Sequence, residues 1–401
     1  MPFFKKTQRV LVDAVKIQEL LTRGVEDILV KESLQAKLRS GKKLRVKLGI
    51  DPTGNTIHIG RAVPLWKLRG FQDLGHAIVL IVGDFTAQIG DASDKLSKRP
   101  LLSEEQVQEN LKHYKEIIGK IIDVSKAEFV FNSKWLSTLT FKDACVLADS
   151  FSVQQMSNRR NFKERFDRGE EISLREFMYP LMQGYDSVAI RADVELGGFD
   201  QLFNLKAGRI IQKHYGLPEQ DILTTKMLEG TDGRKMSTSW GNVINITDES
   251  NDMFGKIMSV RDELIGKYFL LATRLPASEI TEIEEKMKQG ANPKDSKLRL
   301  AREIVALYHG KEAAERAAVH FENTFVKGMP EEFTKIALSG KEVATALIEH
   351  GIIASKAELR RLLSEGAITN LDSHTKMGEE FMKVAPLGRY RIGKHRFIEI
   401  K

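Results

Sequence analysis

Between residues 44 and 82 the chain reads as a strand, a tight turn, an amphipathic helix and a second strand, and this order restricts the fold more than any other feature. Leu44 to Ile50 alternates apolar and polar residues, as a strand does, and Asp51-Pro52-Thr53-Gly54 supplies turn chemistry behind it. A helix from about Gly60 to Leu74 follows, because Val63, Trp66 and Leu74 fall at helical spacing; Pro64 fits only near its first turn. Ala77 to Val82 is an unbroken apolar run, suited to a strand buried on both faces. Two strands joined through a helix point to a parallel α/β sheet.

The rest of the chain is arranged around that unit. Val10, Leu11, Ala14, Val15, Ile17, Leu20 and Leu21 predict an N-terminal amphipathic helix, continuing through Ile28 to Leu38 after a break near Gly24. Residues 101–190 read as mainly helical, with Glu128 to Phe131 as a short strand, and Val188 to Leu196 returns to the sheet at Gly197-Gly198. From 250 to 325 the pattern is helical, with Asn292-Pro293 opening a helix that carries Leu298, Leu300, Ile304 and Leu307. Two short helices and two β-like segments near the end form a separate small domain. The expected division is 1–40, 41–230 with an insertion at about 101–190, 231–330 and 338–401.

Composition narrows the classes. With 401 residues, 42% of them apolar and 29% charged, the chain can bury more than one core. No window approaches the apolar length of a membrane span, and the start lacks a signal-peptide core. A single cysteine, Cys145, cannot form an internal disulfide; it suits a reducing cytoplasm and reads as a buried small apolar residue. The formal charge of +7 is a mild hint of an anionic partner.

Chemistry concentrates in two loops. Residues Gly49 to Arg61 run from a strand end into a helix start, where unpaired N–H groups bind phosphates. There Gly49, Asp51, Thr53 and Gly60 are candidate nucleotide contacts, and His58 can donate to a phosphate oxygen. Asp232 to Ser239 is a polar, glycine-bearing loop able to close over a polyphosphate, with Lys235 neutralising charge on the leaving group. On a third segment, Tyr179, Gln183 and Asp186 share one helix face. A phenol, an amide and a carboxylate side by side suit a polar ligand better than plain core.

His58-Ile59-Gly60-Arg61 resembles the His-Ile-Gly-His signature of class I aminoacyl-tRNA synthetases, and Lys235-Met236-Ser237-Thr238-Ser239 resembles their Lys-Met-Ser-Lys-Ser loop. Tyr179-x-x-x-Gln183-x-x-Asp186 and Gly197-Gly198-Phe199-Asp200-Gln201 are similar to the tyrosyl subfamily. The resemblance covers nearly the whole chain. It implies a Rossmann-like nucleotide-binding domain with a helical insertion, then an α-helical domain and a small α+β S4-like domain. It implies that Tyr179, Gln183 and Asp91 contact the α-amino group of tyrosine, that Asp186 accepts the phenolic hydrogen, and that Gln201 lies beside the amino acid. A pocket built to bond that hydroxyl rejects phenylalanine by leaving buried polar groups unpaired, a rule for which tyrosyl-tRNA synthetases are themselves the standing example. It further implies that Lys95 and Arg99 swing onto departing pyrophosphate, that Asp200 holds the ribose, and that Gly49 and Gly197 approach the nucleotide.

Three positions depart from the family pattern. Arg61 replaces the second histidine, Thr238 the second lysine, and Lys47 stands where many relatives carry a tyrosine that bonds the substrate phenol. Strand alternation puts Lys47, Gly49 and Asp51 on one side, so Lys47 either reaches the pocket or snorkels to solvent.

Residues 341–401 resemble an S4-like RNA-binding module, with Lys356, Arg360 and Arg361 on one helix flank; residues 383–401 hold six Lys or Arg and one Glu. The implied reaction joins L-tyrosine to tRNA(Tyr) in two steps: ATP and tyrosine give tyrosyl-adenylate and pyrophosphate, and the tRNA 3′ end then takes the tyrosyl group. Mg2+ is expected with ATP and no protein-ligated metal is expected; the family also implies a homodimer. The rival readings are a tryptophanyl-type ligase and a synthetase-like RNA-binding protein with impaired catalysis.

Overall fold

The computed structural model describes residues 9–91, 102–326, 333–338, 341–382, 386–393 and 396–401. The chain divides into two compact units, residues 1–249 with 256–308, and residues 250–255 with 309–401.

The first unit is built on a six-stranded sheet of β1 (Val25–Leu29), β2 (Arg45–Ile50), β3 (Ala77–Val82), β4 (Ala127–Phe131), β5 (Val194–Gly198) and β6 (Asp221–Thr225), in the order β1-β6-β5-β2-β3-β4. All neighbours are parallel except β1, which runs antiparallel to β6. The chain builds outward from β2 through β3 to β4, then returns to place β5 on the other side of β2. That reversal is a topological switch point, and open α/β sheets bind ligands outside the strand carboxyl ends at such a point. Gly49 to Asp51 leave β2 there and Gly197 to Asp200 leave β5, side by side.

The predicted strand–helix–strand unit is present. Helix Ile59–Asp73 carries Pro64 in its second turn, one turn later than expected, and Pro64 offers no N–H to the Gly60 carbonyl. Strand β3 is buried along most of its length. Helix Leu174–Ile190 opens on a Ser173–Glu176 capping box and turns Tyr179 to Asp51 after β2, Gln183 to Glu195 of β5 and Asp186 to Asn132 and Trp135 after β4.

Local periodicity misleads at several elements. The N-terminal stretch is not one interrupted helix: helix Ala14–Thr22 ends, β1 follows, and helix Lys31–Arg39 comes after it. Gly24, at φ +62°, makes the turn, and pairing with β6 satisfies an edge that helix propensity could not cover. Val188 to Ile190 finishes a helix, so the return to the sheet starts only at Val194. Cys145 is exposed, because helix Phe141–Ala148 turns Leu147 inward instead.

In the second unit a five-stranded sheet of β7 (Thr334–Ile336), β8 (Ile368–Asn370), β9 (Thr375–Lys376), β10 (Gly388–Ile392) and β11 (Arg396–Ile400) runs β7-β11-β10-β8-β9. Helices Val343–Glu349 and Lys356–Ser364 bury Leu347, Leu359, Leu362 and Leu363 in one core with Tyr390 and Ile398. Among the described residues no helix is long and apolar enough to cross a membrane.

Candidate active site

The two signature loops meet in three dimensions. Ile59 N–H donates to the Ile244 carbonyl at 2.8 Å and Ile246 N–H to the Ile57 carbonyl at 2.9 Å, so the chain just after the second loop is stitched to the first. A Cβ on Gly60 would lie 3.4 Å from the Met236 sulfur, which places the glycine of one signature against the methionine of the other.

His58 caps helix Ile59–Asp73, its Nδ1 accepting the Arg61 N–H at 3.2 Å. Accepting at Nδ1 leaves the ring proton on Nε2. Burial, followed by the positive charges of Arg61 and Lys235, lowers the imidazole pKa to about 3. His58 is therefore a neutral donor at physiological pH. Arg61 reaches the Thr53 hydroxyl at 3.3 Å, while Lys235 pairs with Asp200 across the loop at 3.2 Å.

The second loop is organised by Asn242. Its Oδ1 accepts from Ser237 N–H at 2.8 Å, and its Nδ2 donates to Asp232 Oδ1 at 2.8 Å and to the Lys235 carbonyl at 3.1 Å. Met236 is buried; Thr238 is exposed and opens the short turn that also holds Ser239. Gly49 faces open space, where an added Cβ would meet nothing within 4 Å, whereas Gly197 lies against Leu205 and Gln201.

Beside this end lies a cluster of carboxylates. Tyr179 donates its hydroxyl to Asp51 Oδ2 at 2.9 Å, and Thr86 donates to Asp51 Oδ1 at 2.9 Å. Burial and Asp51 hold the Tyr179 phenol well above its ordinary pKa. Gly83 permits this approach, since a Cβ there would stand 2.0 Å from Asp51 Oδ1. Asp91 accepts from Gln201 Nε2 at 2.9 Å and Asn204 Nδ2 at 3.4 Å, and faces Arg159 at 3.5 Å. Asp186 is 3% exposed and accepts from Trp135 Nε1 at 2.8 Å and Asn132 Nδ2 at 3.4 Å. Desolvation raises its pKa to about 7, opposed mainly by the Lys47 charge.

Lys47 does not snorkel. It is fully buried, and its ammonium contacts Glu195 Oε1, the Gln183 carbonyl and the Ser187 hydroxyl, each at 2.8 Å. Gln183 also donates its amide to Glu195, at 3.2 Å. Lys95 and Arg99 lie outside the described residues. Among the described residues no group of three or more His, Cys, Asp or Glu is placed to hold a metal ion. On helix Lys356–Ser364, Lys356 pairs with Glu342 at 2.7 Å, Arg361 pairs with Glu365 at 3.1 Å, and Arg360 is exposed.

Sequence reading missed Asn132, Trp135, Arg159, Glu195, Asn204 and Asn242. Asn132 and Trp135 follow the carboxyl end of β4, so the rule that ligands gather at strand ends could have drawn attention to them. Arg159 arrives from the helical insertion, and nothing local marks it.

A sheet of this order, with two signature loops joined at its switch point, defines the core of a class I aminoacyl-tRNA synthetase. Residues 39–326 match the family of class I tRNA synthetases for tryptophan and tyrosine (W and Y), and the chain belongs to that family. It is 46% identical to the tyrosine–tRNA ligase of Thermotoga maritima over 388 residues, covering 95% of this chain and 96% of that one. The tyrosine–tRNA ligase of Carboxydothermus hydrogenoformans is 45% identical over 407 residues, covering 97% and 98%. The activity is accordingly tyrosine activation followed by charging of tRNA. The fold is shared with a truncated mitochondrial tyrosyl-tRNA synthetase from Coccidioides posadasii, at TM-score 0.61 and 24% identity over 76% of this chain and 90% of that one. It is also shared with the Archaeoglobus fulgidus tyrosyl-tRNA synthetase complexed with L-tyrosine, at TM-score 0.61 and 22% identity over 76% and 100%.

Proposed function

We propose that tyrosine lies between Asp91 and Asp186 with ATP over the joined signature loops, and that His58, Arg61, Lys235 and Thr238 line the polyphosphate path. The observation that carries this reading is the convergence of both loops beside the Asp51, Asp91 and Asp186 carboxylates. The donor pattern supports the amino-group end. Tyr179 gives its proton to Asp51 and Gln183 gives its amide to Glu195, so both turn an acceptor oxygen to a ligand, as an ammonium requires. Asp186 is the matching acceptor for the phenol, with Gln201 beside Asp91.

In the first step the tyrosine carboxylate attacks the α-phosphorus in line and pyrophosphate leaves. The neutral His58 Nε2–H donates to a phosphate oxygen, and Lys235, released from Asp200 as the ribose takes that carboxylate, neutralises the leaving group. Lys95 and Arg99 act on the same group. These contacts strengthen with developing charge and raise the rate more than ground-state affinity. Gly49, Thr53, Gly60, Gly197, Met236, Ser237 and Ser239 shape the nucleotide's bed. Magnesium enters with ATP as part of the substrate. The 3′ end of tRNA(Tyr) then takes the tyrosyl group, with the terminal S4-like region holding phosphates through Lys356, Arg360 and Arg361. The protein works in the cytoplasm as a homodimer; exposed Phe141, Val153 and Leu174 in the helical insertion support an apolar partner face. Pyrophosphate exchange tests the reading: it should depend on tyrosine and be absent with tryptophan, and exchange with tryptophan alone would overturn it.

A further inference from the structure

The amino-acid pocket is backed by a buried charge network that the reaction itself does not use. Lys47 on β2 and Glu195 on β5 are direct partners in the sheet register, and both are fully buried. The three contacts of the Lys47 ammonium use all three of its protons, leaving none for a ligand. Glu195 is equally occupied. Its Oε1 takes Lys47 and Gln183, and its Oε2 takes the Ser187 hydroxyl and the Gln220 amide. Gly208 makes room for this network, because a Cβ there would lie 2.4 Å from Gln220 Nε2 and 3.1 Å from Glu195 Oε2.

Asp186 sits between Gln183 and Ser187 on the same helix, so the ammonium that bonds those two residues flanks it without forming an ion pair with it. A buried ammonium without its carboxylate would seek the nearest one, since an unpaired charge in this setting is costly. We propose that Glu195 is a positioning residue for tyrosine specificity: it anchors Lys47 away from Asp186, so that Asp186 keeps an acceptor oxygen for the substrate phenol. Lys47 then acts at a distance, its positive charge favouring the ionised form of Asp186. The inference rests on the reading of Asp186 as the phenol acceptor.

The groups that face Asp186 are Lys47 from β2, Glu195 from β5, Trp135 and Asn132 after β4, and Tyr179 on its own helix, itself coupled to Asp51 and Asp91. Lys47 favours the charged carboxylate, whereas burial and Glu195 oppose it, and the balance lies near neutrality at about 7. Ionisation grows as pH rises through that value, so tyrosine should bind better at pH 8 than at pH 6, with phenylalanine indifferent.

The test is pyrophosphate exchange with tyrosine and with phenylalanine, for the unaltered protein and for Glu195→Gln, Lys47→Met with Glu195→Gln, and Asp186→Asn. Glu195→Gln should lower kcat/KM for tyrosine by at least about tenfold, the loss of one charge-assisted hydrogen bond, with phenylalanine little changed. The paired substitution removes the loose ammonium together with the Lys47 charge that favours ionised Asp186, so it should restore most of the discrimination at alkaline pH. Equal losses for both amino acids, or a paired variant no better than the single one, would overturn the proposal. Asp186→Asn separates the two levels. If it leaves the tyrosine-to-phenylalanine ratio intact, the pocket reading itself is wrong; if it collapses the ratio while Glu195→Gln does not, only the role of Glu195 fails.

Discussion

Asn242→Ala should uncouple loop order from amino-acid binding. Asn242 is 3% exposed and ties Ser237 N–H, Asp232 and the Lys235 carbonyl together, which sets the path of the loop carrying the Lys235 side chain. Alanine keeps the backbone and removes all three bonds. The orphaned Ser237 N–H costs about 1–2 kcal/mol and the lost Lys235 carbonyl contact about 1 kcal/mol, leaving out the contact with half-buried Asp232. The sum, about 2–3 kcal/mol, goes into ordering a loop whose lysine is proposed to act mainly in the transition state, so kcat for activation should fall about 30- to 150-fold. Tyrosine KM should stay within about twofold, because Asp91, Tyr179 and Asp186 do not touch Asn242. Steady-state pyrophosphate exchange over a range of tyrosine concentrations reads both quantities. A variant with near-normal kcat, or one whose tyrosine KM rises in step with the kcat loss, would refute the reasoning.

Other perturbations probe separate parts of the structure. Gly83→Ala forces a methyl to within 2.0 Å of Asp51 Oδ1, so thermal unfolding should show a loss of about 1–3 kcal/mol, together with a higher tyrosine KM as Asp51 leaves Tyr179. His58 has a folded pKa of about 3 against an ordinary 6.5, so the unfolded chain binds the extra proton between those values. Its contribution to stability is thus full above pH 6.5 and declines as pH falls toward 3; His58→Gln should flatten that part of a denaturant-midpoint profile, and an unchanged slope would count against the assignment. If Arg61 and Thr238 line the two ends of the proposed phosphate path, one gains a cation where the other loses one, and the two changes should offset each other. Arg61→His and Thr238→Lys should therefore be non-additive in activation rate, and strict additivity would show two independent sites. Arg360→Ala should weaken tRNA binding and reduce the salt dependence by about one ion, leaving tyrosine-dependent exchange untouched.

Much of the site was visible along the chain because its parts are local. A helix face places Tyr179, Gln183 and Asp186 together by its own periodicity, and both signature loops are contiguous runs. Other partners approach only through the fold. Arg159 reaches Asp91 from the helical insertion, with its guanidinium between the Phe162 and Phe203 rings at 5.3 and 5.1 Å. Strands β1 and β6 escaped detection because each is a short, mixed segment made a strand by its neighbours, β6 between β5 and β1, and β1 by pairing with β6 at the sheet edge.

The sequence by itself determined the strand–helix–strand nucleus, the two signature loops and the polar helix face, since spacing and residue chemistry within a few turns decide these. Lys47 shows what it left open. Alternation put its side chain on the same side as Gly49 and Asp51, but pocket and solvent were both open to it on local grounds. Only the return of the chain to place Glu195 beside it, with Ser187 and the Gln183 carbonyl from the helix above, provided a carboxylate and two further acceptors at 2.8 Å, and that closed every other choice. A buried charge takes its meaning from the partners that surround it, and the tertiary fold is what brings them there.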